Sequence, residues 1–136
     1  MALTADRNTP QRLDRMRNSD PVEAASLIYV GSMVAINTSG NAVAASATAA
    51  NITRGVSTVA RADNSAGAAG AINVDTERGV FQFANSASAD LLARTDIGAT
   101  CYVVDAQTVA KTDGSGARPV AGVVRDVDAN GVWVEF

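Results

Sequence analysis

A succession of short β-favouring runs separated by turn signals constrains the fold more than any other feature of this sequence. The runs are rich in valine, isoleucine and threonine, and they occupy residues 26–30, 33–36, 52–60, 71–75 and 78–84. Clusters of Gly, Asn, Asp and Ser such as 37–41 (NTSGN) and 63–70 (DNSAGAAG) lie between them. Many short strands at close spacing are typical of small barrels and sandwiches. The sequence therefore predicts an all-β fold, a small β-barrel or β-sandwich.

The C-terminal third gives the clearest local predictions. Residues 100–104 and 108–111 flank a three-residue turn, and residues 120–127 and 132–136 flank Asp-Ala-Asn-Gly at 128–131. Asn-Gly between β-favouring runs is a strong hairpin signal. Alternation places Val132, Val134 and Phe136 on one face of the last strand, and Phe81 with Phe83 on one face of an earlier strand. Two hairpins are therefore expected here.

Only residues 88–93 (SADLLA) favour a helix in the body, and at most one short helix is predicted. Ser88 would cap it, with Leu91 and Leu92 packing inward. The large aromatic side chains are expected to anchor the core: Tyr29, Phe81, Phe83, Tyr102 and Trp133.

The first 22 residues differ from the rest, because they are polar and carry Pro10 and Pro21, which disfavour a continuous helix. We therefore divide the chain into an extended N-terminal arm, 1–22, and a body, 23–136. One interpretation is a frayed terminus. The other is an arm that orders on a partner protein. In that case its contacts would be two apolar anchors with arginines around them: Arg7, Arg12, Leu13, Arg15, Met16 and Arg17.

Composition indicates a protein that gains stability from partners. Hydrophobic residues make up 47% of the chain, but 27 residues are alanine and only 4% are aromatic. An Ala/Val core buries little apolar area per residue. We therefore expect oligomerisation or docking to complete the stability of the fold.

The residues needed for most catalytic chemistry are missing from the sequence. There is no histidine and only one cysteine, Cys101, so Ser-His-Asp triads, Cys-His pairs and ordinary zinc sites are excluded. No phosphate-binding glycine loop occurs. Cys101 lies in an apolar run and is interpreted as a buried thiol. We predict no enzymatic activity and no cofactor.

Charge and hydropathy restrict the partners. The net charge is −3, and no clustered basic face is apparent, so no nucleic-acid binding is predicted. No run of about 18 apolar residues is present, so no membrane association is predicted. Without an apolar N-terminal signal segment, the chain is expected to be made and kept in a cytoplasm.

One motif has two interpretations. Asp126, Asp128, Asn130 and Gly131 match the opening of a calcium-binding loop, but the glutamate required at its twelfth position would fall at 137, beyond the sequence. A hairpin turn accounts for the same residues, and we predict the turn.

The order of several segments resembles the capsid cement, or head-decoration, proteins of tailed bacteriophages. No single segment is specific, but the likeness spans nearly the whole chain. The segments are 1–10 (MALTADRNTP), 29–35 (YVGSMVA), 63–67 (DNSAG), 78–81 (RGVF), 96–105 (DIGATCYVVD), 108–110 (TVA) and 121–128 (AGVVRDVD).

This resemblance implies a β-rich body on the outer surface of the capsid in the virion, made in the host bacterial cytoplasm. Its expected partners are the major capsid protein and neighbouring copies of itself, as a homotrimer or a dimer. The N-terminal arm would touch neighbouring subunits, and no catalytic residues are carried over. Two alternatives stay open: another phage structural component of the tail, connector or fibre, and a ligand-binding β-module.

Overall fold

The computed structural model describes Ala5, residues 7–11 and residues 16–136. In this part of the chain nearly all regular structure is β. The strands are β1 (Arg17–Pro21), β2 (Ser26–Ile28), β3 (Met33–Ile36), β4 (Ala42–Ala44), β5 (Ile52–Ser57), β6 (Ala62–Asn64), β7 (Asn73–Glu77), β8 (Val80–Asn85), β9 (Thr100–Asp105), β10 (Thr108–Ala110), β11 (Val120–Asp128) and β12 (Gly131–Glu135). Two single-turn 3-10 helices, Ser88–Asp90 and Arg94–Asp96, connect β8 to β9.

The C-terminal half forms a closed barrel with the strand order β10-β8-β12-β11-β9. The β10–β8 pair is parallel and every other pair in the barrel is antiparallel. Inward-facing side chains, mostly valine, fill its interior, including Phe83, Val103, Val109, Val124, Val132 and Val134. Like other barrels of few strands, it is therefore a packed core rather than a pore.

The N-terminal half forms a curved sheet with the strand order β1-β7-β5-β3-β4. Immediately after β1, Val22 makes a parallel bridge to Ala42 of β4, so the two outer strands approach each other. The sheet thus rolls around a second apolar cluster, which includes Val22, Val34 and Val74. The β2–β6 pair contributes Ile28 and Ala62 to the same cluster.

Strand β3 joins the two halves because both of its faces are buried. Met33 and Ala35 belong to the barrel cluster, whereas Val34 belongs to the second cluster. All three side chains have no exposed surface. The all-β class is confirmed, as are the two C-terminal hairpins and the inward faces of β8 and β12.

The predicted boundary between arm and body is wrong. All five residues of β1 pair with β7, and Val22 is fully buried, so the body begins at Arg17 rather than at residue 23. Pro21 excludes a helix here but is compatible with an edge strand, since such a strand has one side without ladder hydrogen bonds. Asp20 also forms a bidentate ion pair with Arg54 of β5, at 2.8 and 3.1 Å.

The aromatic residues divide between core and surface. Phe83 is buried, and Phe81 packs against the barrel cluster while half-buried. Tyr29 was predicted to lie in the core but is 58% exposed, because it follows β2 in a turn and its neighbour Ile28 takes the inward position. Tyr102 and Trp133 are only half-buried, since each alternates with the inward-facing valines of its strand.

The predicted helix at 88–93 is a single 3-10 turn. Ser88 provides no side-chain cap. Leu92 is buried as expected, whereas Leu91 is exposed. The side chain of Asn85 fixes Leu92 by bonding both its N–H and its carbonyl, at 3.0 and 2.8 Å.

Candidate interaction surfaces

The structure describes three of the six predicted arm contacts. Arg7 is exposed and outside any strand, and Arg12, Leu13 and Arg15 lie outside the described residues. Met16 is exposed, and its carbonyl accepts a 2.6 Å hydrogen bond from the Arg78 N–H. Arg17 pairs with Glu77 of β7 at 3.2 Å. Met16 and Arg17 therefore mark the place where the N-terminal segment reaches the edge of the curved sheet.

The single cysteine is buried in the barrel, as predicted. Its Sγ lies 3.6 Å from the carbonyl of Gly122, to which it donates. Burial raises the pKa of the Cys101 thiol to about 11. Because the thiolate is the reactive form, this cysteine is unreactive near neutral pH.

The acidic motif near the C-terminus is a turn. Asp128 accepts hydrogen bonds from the N–H groups of Asn130 and Gly131, at 2.7 and 3.2 Å, and from the Trp133 indole at 2.9 Å. These bonds, that of Trp133 foremost, lower the pKa of Asp128. Asp126 pairs instead with Arg94 at 2.7 Å. Across Ala5, 7–11 and 16–136, no group of three or more metal-ligating side chains is placed to hold an ion.

The other carboxyl groups with shifted pKa values are also held as anions by structural partners. Hydrogen bonds from Thr112 and Arg118 lower the pKa of Asp90, and the Ala93 N–H and Lys111 lower that of Asp96. Among described carboxyl groups with a shifted pKa, every shift is downward: Glu23, Asp63, Asp90, Asp96 and Asp128. A general acid at neutral pH needs the opposite shift.

Large apolar side chains are exposed at several places in the described chain, and two of these places, which share no residue, are concave. At the first, the turn patch, Tyr29 and Val30 lie beside the 105–107 turn between β9 and β10. A 2.8 Å hydrogen bond from the Met33 N–H to the Ala106 carbonyl joins the two turns. The second place is a groove between the curved sheet and the barrel.

This groove, which we call the basic groove, is an open cleft of about 580 Å³. One wall is the first half of β5, where Ile52 is 71% exposed. The facing wall is the first half of β11, where Val120 is 52% exposed. The Thr53 hydroxyl donates to the Val120 carbonyl at 2.6 Å and ties the walls together. Phe136 and Arg78 also line the groove.

Both walls expose strand edges. On the side away from β3, β5 pairs with β7 only at Val56 and Ser57, which leaves residues 52–54 without a strand partner there in the described structure. Strand β11 pairs with β12 only from Val123 onward. Before that, Val120 and Gly122 pair with β9, and a β-bulge lies at Ala121. Unpaired strand edges of this kind accept additional strands.

The charge of the groove is opposite to that of the body. Residues 21–136 carry seven cationic and eleven acidic side chains. Three of the seven cations line the groove (Arg54, Arg78 and Arg125), against one acid, Glu135. Arg54 pairs with Asp20 and Arg125 with Glu135, whereas no carboxylate of the described chain pairs with Arg78. Arg78 therefore gives the groove a net charge of +1 on an acidic body.

Sequence reasoning missed this groove and the surface role of Tyr29. Alternation in 52–60 shows which side chains share a face, but Thr53 and Val120 are 67 positions apart and nothing in the sequence pairs them. Only the folded sheet and barrel bring them together.

Comparison with known proteins adds no identification: no protein family, no curated protein and no solved structure matches this chain. No helix within the described residues is long and apolar enough to cross a membrane.

Proposed function

We propose that this chain is a structural cement protein that binds the outer surface of a tailed-phage head and clamps neighbouring major capsid subunits. One observation carries the proposal. The folded β body exposes large apolar side chains in two separate concave surfaces, the basic groove and the turn patch, and at other positions such as Val59, Leu91 and Ile97. Exposed apolar patches rimmed by polar residues are typical of protein–protein contacts. A clamp needs at least two such surfaces.

The energetics support a clamp of many weak contacts. Fully burying a valine or isoleucine side chain stabilises a complex by about 1.5–3 kcal/mol relative to exposure. Ile52 and Val120 are already partly buried, so each contributes less than that. One copy would therefore bind modestly. Copies that also contact one another, as a trimer or dimer, would raise the effective concentration of each next contact.

The position of the N-terminal segment also supports the proposal. It enters the fold at Met16, beside Arg78 on the rim of the basic groove. Met16 therefore lies next to the basic groove. The order of segments that resembles head-decoration proteins supports the same conclusion.

Deletion of the gene from a phage that encodes this chain tests the proposal. We expect the protein on purified virions at a copy number comparable to that of the major capsid protein, as measured by quantitative gel electrophoresis. Heads without it should release DNA at a lower temperature than decorated heads. A few copies per particle would indicate a tail or connector protein, and absence from virions or equal heat resistance would contradict a cement role.

A further inference from the structure

We infer that the basic groove binds an extended, acidic segment of a partner protein, which adds as a strand along residues 52–54. The inference deepens the proposed function and rests on it for the source of the segment, the shell protein. It depends on three observations: an open strand edge, an exposed arginine (Arg78) without a carboxylate partner among the described residues, and exposed apolar side chains on both walls.

The open edge determines the conformation of the segment. Strand β7 leaves the edge of β5 at Val56, where Arg78 and Gly79 carry the chain toward the barrel. An added strand would lie along the free side of residues 52–54, where a β-bulge at Arg54 interrupts the pairing with β3, and residues 120–122 would form the opposite wall. Main-chain hydrogen bonds at a sheet edge provide affinity that depends little on sequence, and the flanking pockets then select side chains.

The arginines determine the charge of the segment. Arg54, Arg78 and Arg125 line the groove, but Asp20 and Glu135 pair with Arg54 and Arg125, which leaves 3 − 2 = +1. Arg78 is exposed and makes no ion pair with any described carboxylate, so its guanidinium is available to an incoming one. Guanidinium groups bind carboxylates bidentately, which fixes geometry as well as charge.

The apolar walls determine the remaining side chains. An extended chain presents successive side chains to opposite faces. Carboxylates at alternate positions can therefore meet the arginines, while small β-favouring residues between them cover Ile52 and Val120. The expected ligand alternates glutamate or aspartate with valine or threonine.

A labelled synthetic peptide with glutamate at every second position and valine or threonine between tests this inference on the full chain. We expect saturable binding by fluorescence anisotropy, with amide chemical-shift changes concentrated at 52–54 and 120–122. The same peptide with lysine in place of glutamate should not bind. This comparison needs no protein variant. Failure of the glutamate peptide to bind, equal binding of both peptides, or shift changes elsewhere would overturn the inference.

A matched pair of variants tests the role of charge. Arg78→Glu should weaken binding about fivefold, the range expected for reversing an exposed charge contact. Arg61→Glu makes the same change at an arginine outside the groove, and it should leave the affinity unchanged. If both variants weakened binding equally, the loss of affinity would come from the change in net charge, and this result would contradict a specific site at Arg78.

The two proposals fail separately. If the peptide binds at the groove but the protein is absent from virions, the cement function is wrong and the groove inference stands. If the protein decorates heads but the peptide does not bind, the groove inference is wrong and the cement function stands.

Discussion

Gly131 lies where β12 begins beside β8, and replacing it with alanine should weaken the closed barrel. Its φ of +148° falls in a region that side-chain-bearing residues rarely adopt. A Cβ atom built there would overlap the carbonyl oxygen of Phe83 on β8 and lie 3.2 Å from its carbonyl carbon. Alanine would therefore strain its own backbone and also push apart two paired strands.

The backbone strain and the separation of the strands together give the expected loss of stability. A residue forced into a rarely populated backbone region costs about 1–3 kcal/mol. Opening the ladder at the Phe83–Val132 pair would lose one or two hydrogen bonds at about 1 kcal/mol each. We therefore expect Gly131→Ala to lower the free energy of unfolding by about 3 kcal/mol. That is a large part of the 5–15 kcal/mol typical of a domain.

Gly40→Ala provides the matched control. Gly40 also has a positive φ, +84°, but nothing lies within 4 Å of its Cβ position. Only the backbone cost remains, about 1 kcal/mol. With a urea m-value of about 2 kcal/mol per M, the midpoints should fall by about 1.5 M for Gly131→Ala and about 0.5 M for Gly40→Ala. Equal shifts would refute the close approach of β12 to β8.

Three further predictions concern individual side chains. Folding lowers the pKa of Asp128 from its ordinary value of 3.8. The Asp128 carboxylate therefore stabilises the fold at pH values above 3.8, and this stabilisation is lost as the pH falls through the lower pKa of the folded state. The Asp128→Asn variant should therefore be less stable than the parent protein at neutral pH. Between about pH 5 and pH 2 its free energy of unfolding, measured with urea, should fall by less than that of the parent. An equal fall in both proteins would contradict the stabilising role of the Asp128 carboxylate. Cys101 should react with a thiol reagent at pH 8 only after denaturation, because its pKa is about 11; rapid labelling of the native protein would contradict its burial. The Asp20 side chain of the Asp20–Arg54 pair is only 15% exposed, so this pair should show a coupling energy of about 1 kcal/mol in a double-mutant cycle. The exposed Arg61–Asp63 pair, at 3.7 Å, should show almost none. Equal coupling energies for the two pairs would contradict the role of burial.

Local patterns predicted the hairpins because each depends on neighbours in the sequence. The β11–β12 turn lies within 128–131 as predicted, but its two central residues are Ala129 and Asn130 rather than Asn130 and Gly131, and neither has the positive φ of the turn type that Asn-Gly usually forms. The Asp128 carboxylate holds this turn by accepting the N–H groups at 130 and 131. The alternation of Phe81 and Phe83 likewise identified the inward face of β8 correctly.

Partners distant in sequence could not be predicted this way. The alternation of apolar and polar residues shows which face of a strand is buried, but it does not show which other strand pairs with it. Strand β1 pairs with β7 although the paired residues are more than 50 positions apart. Strands β10 and β8 pair in parallel, so no hairpin turn connects them and no turn signal predicts the pair. Polar residues in β1 resembled a solvated arm because an edge strand can keep one face in water. The basic groove depends on the same long-range geometry and was missed for the same reason.

Imaging of the assembled particle tests the central claim most directly. In a reconstruction of virions from a phage that encodes this chain, we expect copies of the β body on the outer surface of the head, where shell subunits meet. The basic groove should face the shell, with Ile52 and Val120 buried. A head surface without this protein, or copies bound with the groove and the turn patch both open to solvent, would contradict the account.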